Sequence, residues 1–224
     1  MNSDRLSDWL GYINSKRPNE KEFGLERLKG VYSELIKKPI AAKTILIAGT
    51  NGKGSTAEFL KNFLFSAGFT VGVYTSPHLI HFNERIRINE NQICDEKIVS
   101  SFKKIEDCKG KTKLTYFDYA TLAAFDIFSE AQLDFAILEI GIGGKYDPVN
   151  LLDSDISIIT NIDLDHEKWL GRTLNDIGFQ KAAILKEGKV GILGNAIMPD
   201  SVNIRASEVC SKKFQLGEDY IIEK

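Results

Sequence analysis

Residues 44–56 read TILIAGTNGKGST. Thr44 to Ala48 is an apolar run without alternation, the pattern of a strand buried on both faces. Glycines at 49, 52 and 54 then break the run. From Thr56 to Ala67 the pattern is helical, with Phe59, Leu60, Phe63 and Leu64 on one side and Gly68 as the stop. Thr70 to Tyr74 is the next strand. Strand, glycine turn, helix and strand make a βαβ unit.

The flanks extend this pattern. Upstream, Leu6, Trp9, Leu10 and Ile13 keep helical spacing, as do Leu25, Leu28, Val31/Tyr32 and Leu35, with Pro39 ending the second helix. Downstream, residues 84–93 alternate around a polar turn at Asn89-Glu90-Asn91, a hairpin. A helix from Asp95 to Asp107 turns Ile98, Val99, Phe102 and Ile105 inward. Thr115-x-x-Asp118 and Thr173-x-x-Asp176 are capping boxes opening helices to Glu130 and Lys186. Residues 134–140, 155–160 and 190–193 read as buried strands, 200–210 as a helix, and 213–216 and 220–222 as short strands. The fold class is therefore α/β: a P-loop, doubly wound, mostly parallel sheet flanked by helices. Ligands in such sheets sit outside the carboxyl ends of the strands, here 49–56, 75–81, 139–150 and 161–167.

Composition narrows the function. The chain has 224 residues, one large domain or one domain and part of another at about 150 residues each. Its 29 basic and 31 acidic residues give a net charge of −2, which gives no global electrostatic case for nucleic acid or anionic membrane. No apolar run approaches the ~18 residues of a membrane span, and the polar N-terminus lacks a signal-peptide core. Cys94, Cys108 and Cys210 are too few and too scattered for a disulfide framework or zinc cluster. The expectation is a cytoplasmic protein.

Four features carry chemistry. Gly49-Thr50-Asn51-Gly52-Lys53-Gly54-Ser55-Thr56 has the context of a phosphate loop: glycines aim N–H groups at phosphate and a helix N-terminus adds its dipole. Lys53 would neutralise β/γ-phosphate charge, and Ser55 or Thr56 could ligate Mg²⁺. The match to G-x-x-x-x-G-K-[ST] is imperfect, because Ile47 replaces the first glycine and Gly54 separates Lys53 from Ser55. Glu139 ends a buried strand, a position suited to holding Mg²⁺ or to capping a helix. His166 also follows a buried strand and, neutral, is a competent metal ligand. Lys181 falls in the apolar stripe of Leu174, Ile177, Ile184 and Leu185. Either its ammonium snorkels to water, or it is buried with a depressed pKa and takes up CO₂ as a metal-binding carbamate. The spacing leaves both open.

The chain resembles the folylpolyglutamate synthases of the Mur ligase type, and among them the bifunctional dihydrofolate synthase/folylpolyglutamate synthases. The matching stretches are GLERL (24–28), AGTNGKGST (48–56), VGVYTSPHLIHFNERIRI (71–88), LTYFDYATLAAF (114–125), LEIGIGGKYDPVN (138–150), NIDLDHEKWLG (161–171) and QKAAI (180–184), in family order. The resemblance implies an ATP-dependent amide ligase of folate biosynthesis and one-carbon metabolism. ATP would phosphorylate a carboxylate of dihydropteroate or a folate, and the amine of L-glutamate would displace phosphate. It implies ATP and Mg²⁺ as cofactors, small-molecule substrates and a monomer. It makes Lys53, His166 and Lys181 catalytic, gives metal roles to Ser55, Ser76, Glu139, His166 and a carbamylated Lys181, and places Ser76, Pro77, Thr115, Phe117 and Asp147 at the substrate. An aromatic such as Phe117 can stack on a pterin, and Asp147 can accept from its donors.

The chain departs from the family pattern at Lys145, Pro148, Val149, Asp118 and Ala183. Residues 1–224 are expected to be the ATP-binding domain, incomplete at its C-terminal end, with the family's second domain absent. A chain so composed is expected to be weak or inactive alone. The alternatives are a nucleotide-binding module without ligase turnover and another P-loop phosphotransferase.

Overall fold

The computed structural model describes residues 3–15 and 24–222. Helices α1 (Leu6–Ser15) and α2 (Glu26–Leu35) precede β1 (Lys43–Ala48), α3 (Lys53–Ser66) and β2 (Val71–Tyr74). The short hairpin β3 (Ile86–Ile88) and β4 (Asn91–Gln92) leads to α4 (Asp95–Cys108) and α5 (Tyr116–Glu130). Then come β5 (Phe135–Glu139), β6 (Ile156–Ile159), the one-turn α6 (Glu167–Leu170), α7 (Leu174–Ala182), β7 (Val190–Leu193), α8 (Asp200–Val209) and β8 (Lys212–Gln215). Among the described residues the strands form one sheet, ordered β4-β3-β2-β5-β1-β6-β7-β8. The pairings β2–β5, β5–β1, β1–β6, β6–β7 and β7–β8 are parallel, whereas β2–β3 and β3–β4 are antiparallel.

The order follows from burial. β1 carries five consecutive buried residues, Thr44 to Ala48, so it needs cover on both faces and both edges. β5 pairs one edge and β6 the other. On one face lies the larger core, built from Trp9, Leu28, Phe102, Phe125 and Phe128 of α1, α2, α4 and α5 and from Leu185, Val202 and Ala206 near α7 and α8. The opposite face holds a smaller core of Ile45, Ile47, Val71, Val73 and Ile137 under Ala57 of α3.

Several elements differ from expectation. α3 begins at Lys53, three residues early, because Gly52 takes the left-handed conformation (φ 80°) and the helix starts directly after it. Leu60 and Leu64 face the smaller core, whereas Phe59 and Phe63 are 76% and 74% exposed. The four apolar residues thus split between two faces, because Ala57, Leu60, Lys61 and Leu64 form the sheet-facing stripe. α2 stops at Leu35, as Ile36 is already extended, and α7 stops at Ala182 rather than Lys186. Residues 82–85 form a 3-10 turn before β3 instead of joining the hairpin. Tyr220 makes an isolated bridge to Leu216 rather than a strand. Both capping boxes form as read, Thr115 with Asp118 and Thr173 with Asp176.

Trp9 anchors α1. It is fully buried, donates its Nε1–H to the Ser3 carbonyl at 2.8 Å and packs 5.9 Å from Phe102. Trp9→Ala is expected to cost ~3–5 kcal/mol of stability, read as a lowered midpoint in urea denaturation.

Candidate active site

The glycine loop leaves β1 at the centre of the sheet. Gly49 has φ +150°, and a Cβ there would fall inside the Thr160 side chain, so the loop passes where only glycine fits. The loop is held from β6. Thr50 N–H donates to Asn161 O (3.0 Å), Asn51 N–H to Asn161 Oδ1 (2.9 Å) and Thr160 Oγ1–H to Asn51 O (2.6 Å). Lys53 Nζ curls back to Gly49 O (3.0 Å) and Thr50 O (3.3 Å). Thr56 Oγ1 donates to Gly52 O, and Ser55 is exposed on the first turn of α3.

Lys181 meets the same loop. Its side chain is buried and Nζ donates to Gly49 O at 2.9 Å, which excludes the snorkelling reading. Burial, then the Lys53 charge, bring its pKa down to about 8 against the pull of Asp165 and Asp147.

Glu139 ends β5 beside the loop. It is buried, and Oε2 accepts the Ser76 N–H at 2.9 Å. A Cβ on Gly54 would stand 3.8 and 3.9 Å from its two oxygens, so the carboxylate faces the loop. Burial raises its pKa, opposed by the Ser76 N–H and by Lys53 and Arg85. Ser76 precedes the exposed Pro77 across a cis bond. His166 stands half-exposed before α6, in the left-handed conformation (φ 49°), with Nε2 3.6 Å from Asp165. Glu139 and His166 thus follow β5 and β6, the two neighbours of β1. The structure brings Ser76, Glu139, Lys53 and Lys181 to the loop; His166 stays on the flanking 161–166 segment.

Two residues past β5, at Gly141, a second set gathers. Asp147 is buried and accepts three backbone N–H bonds, from Gly141 (2.9 Å) and Ile142 (3.0 Å) at Oδ2 and from Val149 (3.0 Å) at Oδ1. Burial nonetheless raises its pKa to about 7. Phe117, half-buried, lies against Gly141: a Cβ there would be 2.6 Å from its Cζ. Thr115 caps α5 at the same corner.

Two supports went unread in the sequence. Arg85 is buried, donates Nε–H to His78 Nδ1 (2.8 Å) and lies over the Phe82 and Tyr116 rings. Its signal was its place at the start of the strand paired with Tyr74, whose next residues form the Ser76 loop. Asn161 and Thr160 were visible only as part of a strand end. Among the described residues no three His, Cys, Asp or Glu side chains cluster as a cation cage. A divalent cation here would therefore take hydroxyl and ligand oxygens beside the Glu139 carboxylate, and such an oxygen donor set fits Mg²⁺.

A family model described as the Mur ligase middle domain matches residues 47–217. The chain belongs to the Mur ligase middle-domain family. Dihydrofolate synthase/folylpolyglutamate synthase of Escherichia coli K12 is 41% identical over 91% of this chain and 48% of its own length. The protein of the same name from Haemophilus influenzae is 37% identical over 98% and 50%. The structure titled E. coli FolC in complex with DHPP and ADP superposes with a TM-score of 0.94 at 38% identity, covering 98% of this chain and 53% of that one. A bifunctional folylpolyglutamate synthase/dihydrofolate synthase with Mn, AMPPNP and L-glutamate bound gives 0.92 at 39%, covering 99% and 54%. The chain spans about half the length of the curated relatives it matches.

Two measurements follow from this geometry. Lys53→Ala should weaken ATP binding roughly 10–100-fold, the value of a charged hydrogen bond, and leave adenosine binding nearly unchanged by calorimetry. Equal losses for both ligands would show that Lys53 does not touch phosphate. Asp147 binds its proton more tightly folded than unfolded, so its contribution to stability is full below 3.8 and is lost as pH rises toward about 7. Asp147→Asn should flatten the pH dependence of the unfolding free energy across that window.

Proposed function

We propose that residues 1–224 are the ATP-binding unit of an ATP-dependent ligase that joins L-glutamate to dihydropteroate, a tetrahydrofolate or both through an acyl phosphate. The observation that carries the reading is the meeting of the Glu139 carboxylate, the Ser76 amide and the Lys53 loop two residues before Gly141, which joins the Phe117–Asp147 corner. One end is chemically suited to polyphosphate and the other to a flat heterocycle with hydrogen-bond donors. The names of the relatives and the ligands of the solved structures support the same assignment.

In this reading the loop amides and the α3 N-terminus cradle the ATP phosphates, and Lys53 leaves Gly49 O to reach the transferring γ-phosphoryl. Ser55, Ser76, Glu139, His166 and a carbamylated Lys181 would hold Mg²⁺, which supplies charge neutralisation on the phosphates. Lys181 is suited to carbamylation because burial leaves a substantial share of neutral amine near pH 8. Its lone pair attacks CO₂, an N–C bond forms and the displaced proton goes to solvent. Phe117 stacks on the pterin, Thr115 and Asp147 meet its polar edge, and the Ser76-Pro77 segment sits between the two ends. The reading takes the protein as a cytoplasmic monomer. Cys94, Cys108 and Cys210 are free thiols, and no described helix is long and apolar enough to cross a membrane.

The alternative, a nucleotide-binding module without turnover, shares the loop and differs in phosphoryl transfer. ATP carrying ¹⁸O in its β,γ-bridge separates the two. With Mg²⁺ and dihydropteroate but no glutamate, reversible acyl phosphate formation should scramble the label, and Lys53→Ala should abolish it. Binding of both ligands without scrambling would overturn the ligase reading in favour of the module. Scrambling that needs no dihydropteroate would overturn it too.

A further inference from the structure

Arg27 lies in the first turn of α2, where a cation opposes the dipole of its own helix. Helix stability therefore does not explain it. Its fork reaches the start of α5 instead. Nη1 donates to Lys113 O at 2.8 Å and Nη2 to Asp118 Oδ2 at 2.6 Å. The Asp118 side chain is 1% exposed. Its Oδ2 also accepts the Thr115 N–H at 2.6 Å, while Oδ1 is buried without a partner. The Arg27 ion pair thus balances a buried carboxylate and ties down both sides of the Lys113–Asp118 turn. Phe117 lies inside that turn.

We propose that Arg27 is a positioning residue for the heterocycle-binding corner, acting through Asp118 to hold Phe117 against Gly141 and beside Asp147. The proposal rests on the reading of that corner as the pterin end. The fit is tight: a Cβ on Gly141 would stand 2.6 and 2.9 Å from Phe117 Cζ and Cε1 and 3.2 Å from Asp147 Oδ2. A shift of the α5 N-terminus by a few tenths of an ångström changes the slot between ring and carboxylate. An arginine suits this task because its planar fork serves two acceptors at once, whereas a lysine is a single point charge.

The test uses dihydropteroate and ATP as separate calorimetric probes of the whole chain, with thermal midpoints recorded alongside. Arg27→Met alone leaves Asp118 buried and unbalanced and can fail to fold. The double variant Arg27→Met/Asp118→Asn removes both charges and keeps an oxygen for the Thr115 N–H. It should bind dihydropteroate about tenfold more weakly, as a displaced binding group does, with ATP affinity within about twofold of wild type. Arg27→Lys should recover part of the loss. Wild-type dihydropteroate affinity in the double variant would overturn the positioning role, and so would equal losses for dihydropteroate and ATP. A wild-type chain that binds ATP but no dihydropteroate would instead remove the pterin reading, and this proposal with it.

Discussion

The carbonyl oxygen of Gly49 accepts from two ammonium groups, Lys53 at 3.0 Å and Lys181 at 2.9 Å. Burial, and after it the repulsion of the Lys53 charge on the same acceptor, depress the pKa of Lys181. The carbonyl can serve both only because the backbone at 49 turns through a conformation open to glycine, with Thr160 filling the space of a side chain. That one peptide therefore sets the course of the loop, the resting place of Lys53 and the proton affinity of Lys181. Two ammonium groups on one loop give that point a field that favours anions.

β5 ties this point to the other end of the site. Its last residue, Glu139, accepts from Ser76 and faces the loop, and two residues later Gly141 donates to Asp147 and seats Phe117. The groups proposed to face phosphate and ring are thus spaced by one strand end, a rigid element, rather than by two independent loops. Burial raises the pKa of Glu139, and the Arg85 charge is among the groups that oppose that rise.

Much of this was legible in the residues. Unbroken apolar runs at 44–48 and 135–138 read as buried strands, and the two Thr-x-x-Asp boxes located the starts of α5 and α7 to the residue. Other points were not local properties. Lys181 sits in an apolar stripe whether its Nζ reaches water or not; its partner, Gly49, is 132 residues away. Phe59 and Phe63 count as apolar in any pattern, yet the sheet takes Leu60 and Leu64. Arg27 and Arg85 drew no reading from the sequence, because what marks them is the acceptor each meets in the fold, Asp118 at 91 residues' distance and His78 at seven. His166 was found by its place after β6, and its contacts stay within its own loop.

The sheet order also bears on how the chain acquires its shape. β1 and β2 are consecutive strands, yet β5 lies between them, and β6 closes the far side of β1. The βαβ unit that emerges first from a ribosome cannot pair its own strands. It must keep a gap open while α4 and α5 are made, and two apolar edges wait for segments that arrive much later. Such non-local pairing makes folding slow and leaves sticky intermediates. The phosphate loop, anchored on β1 but tied down by Asn161 and Lys181, is then among the last parts to set. Any ligand that binds the finished loop and not the unfinished chain pulls this chain toward its native state.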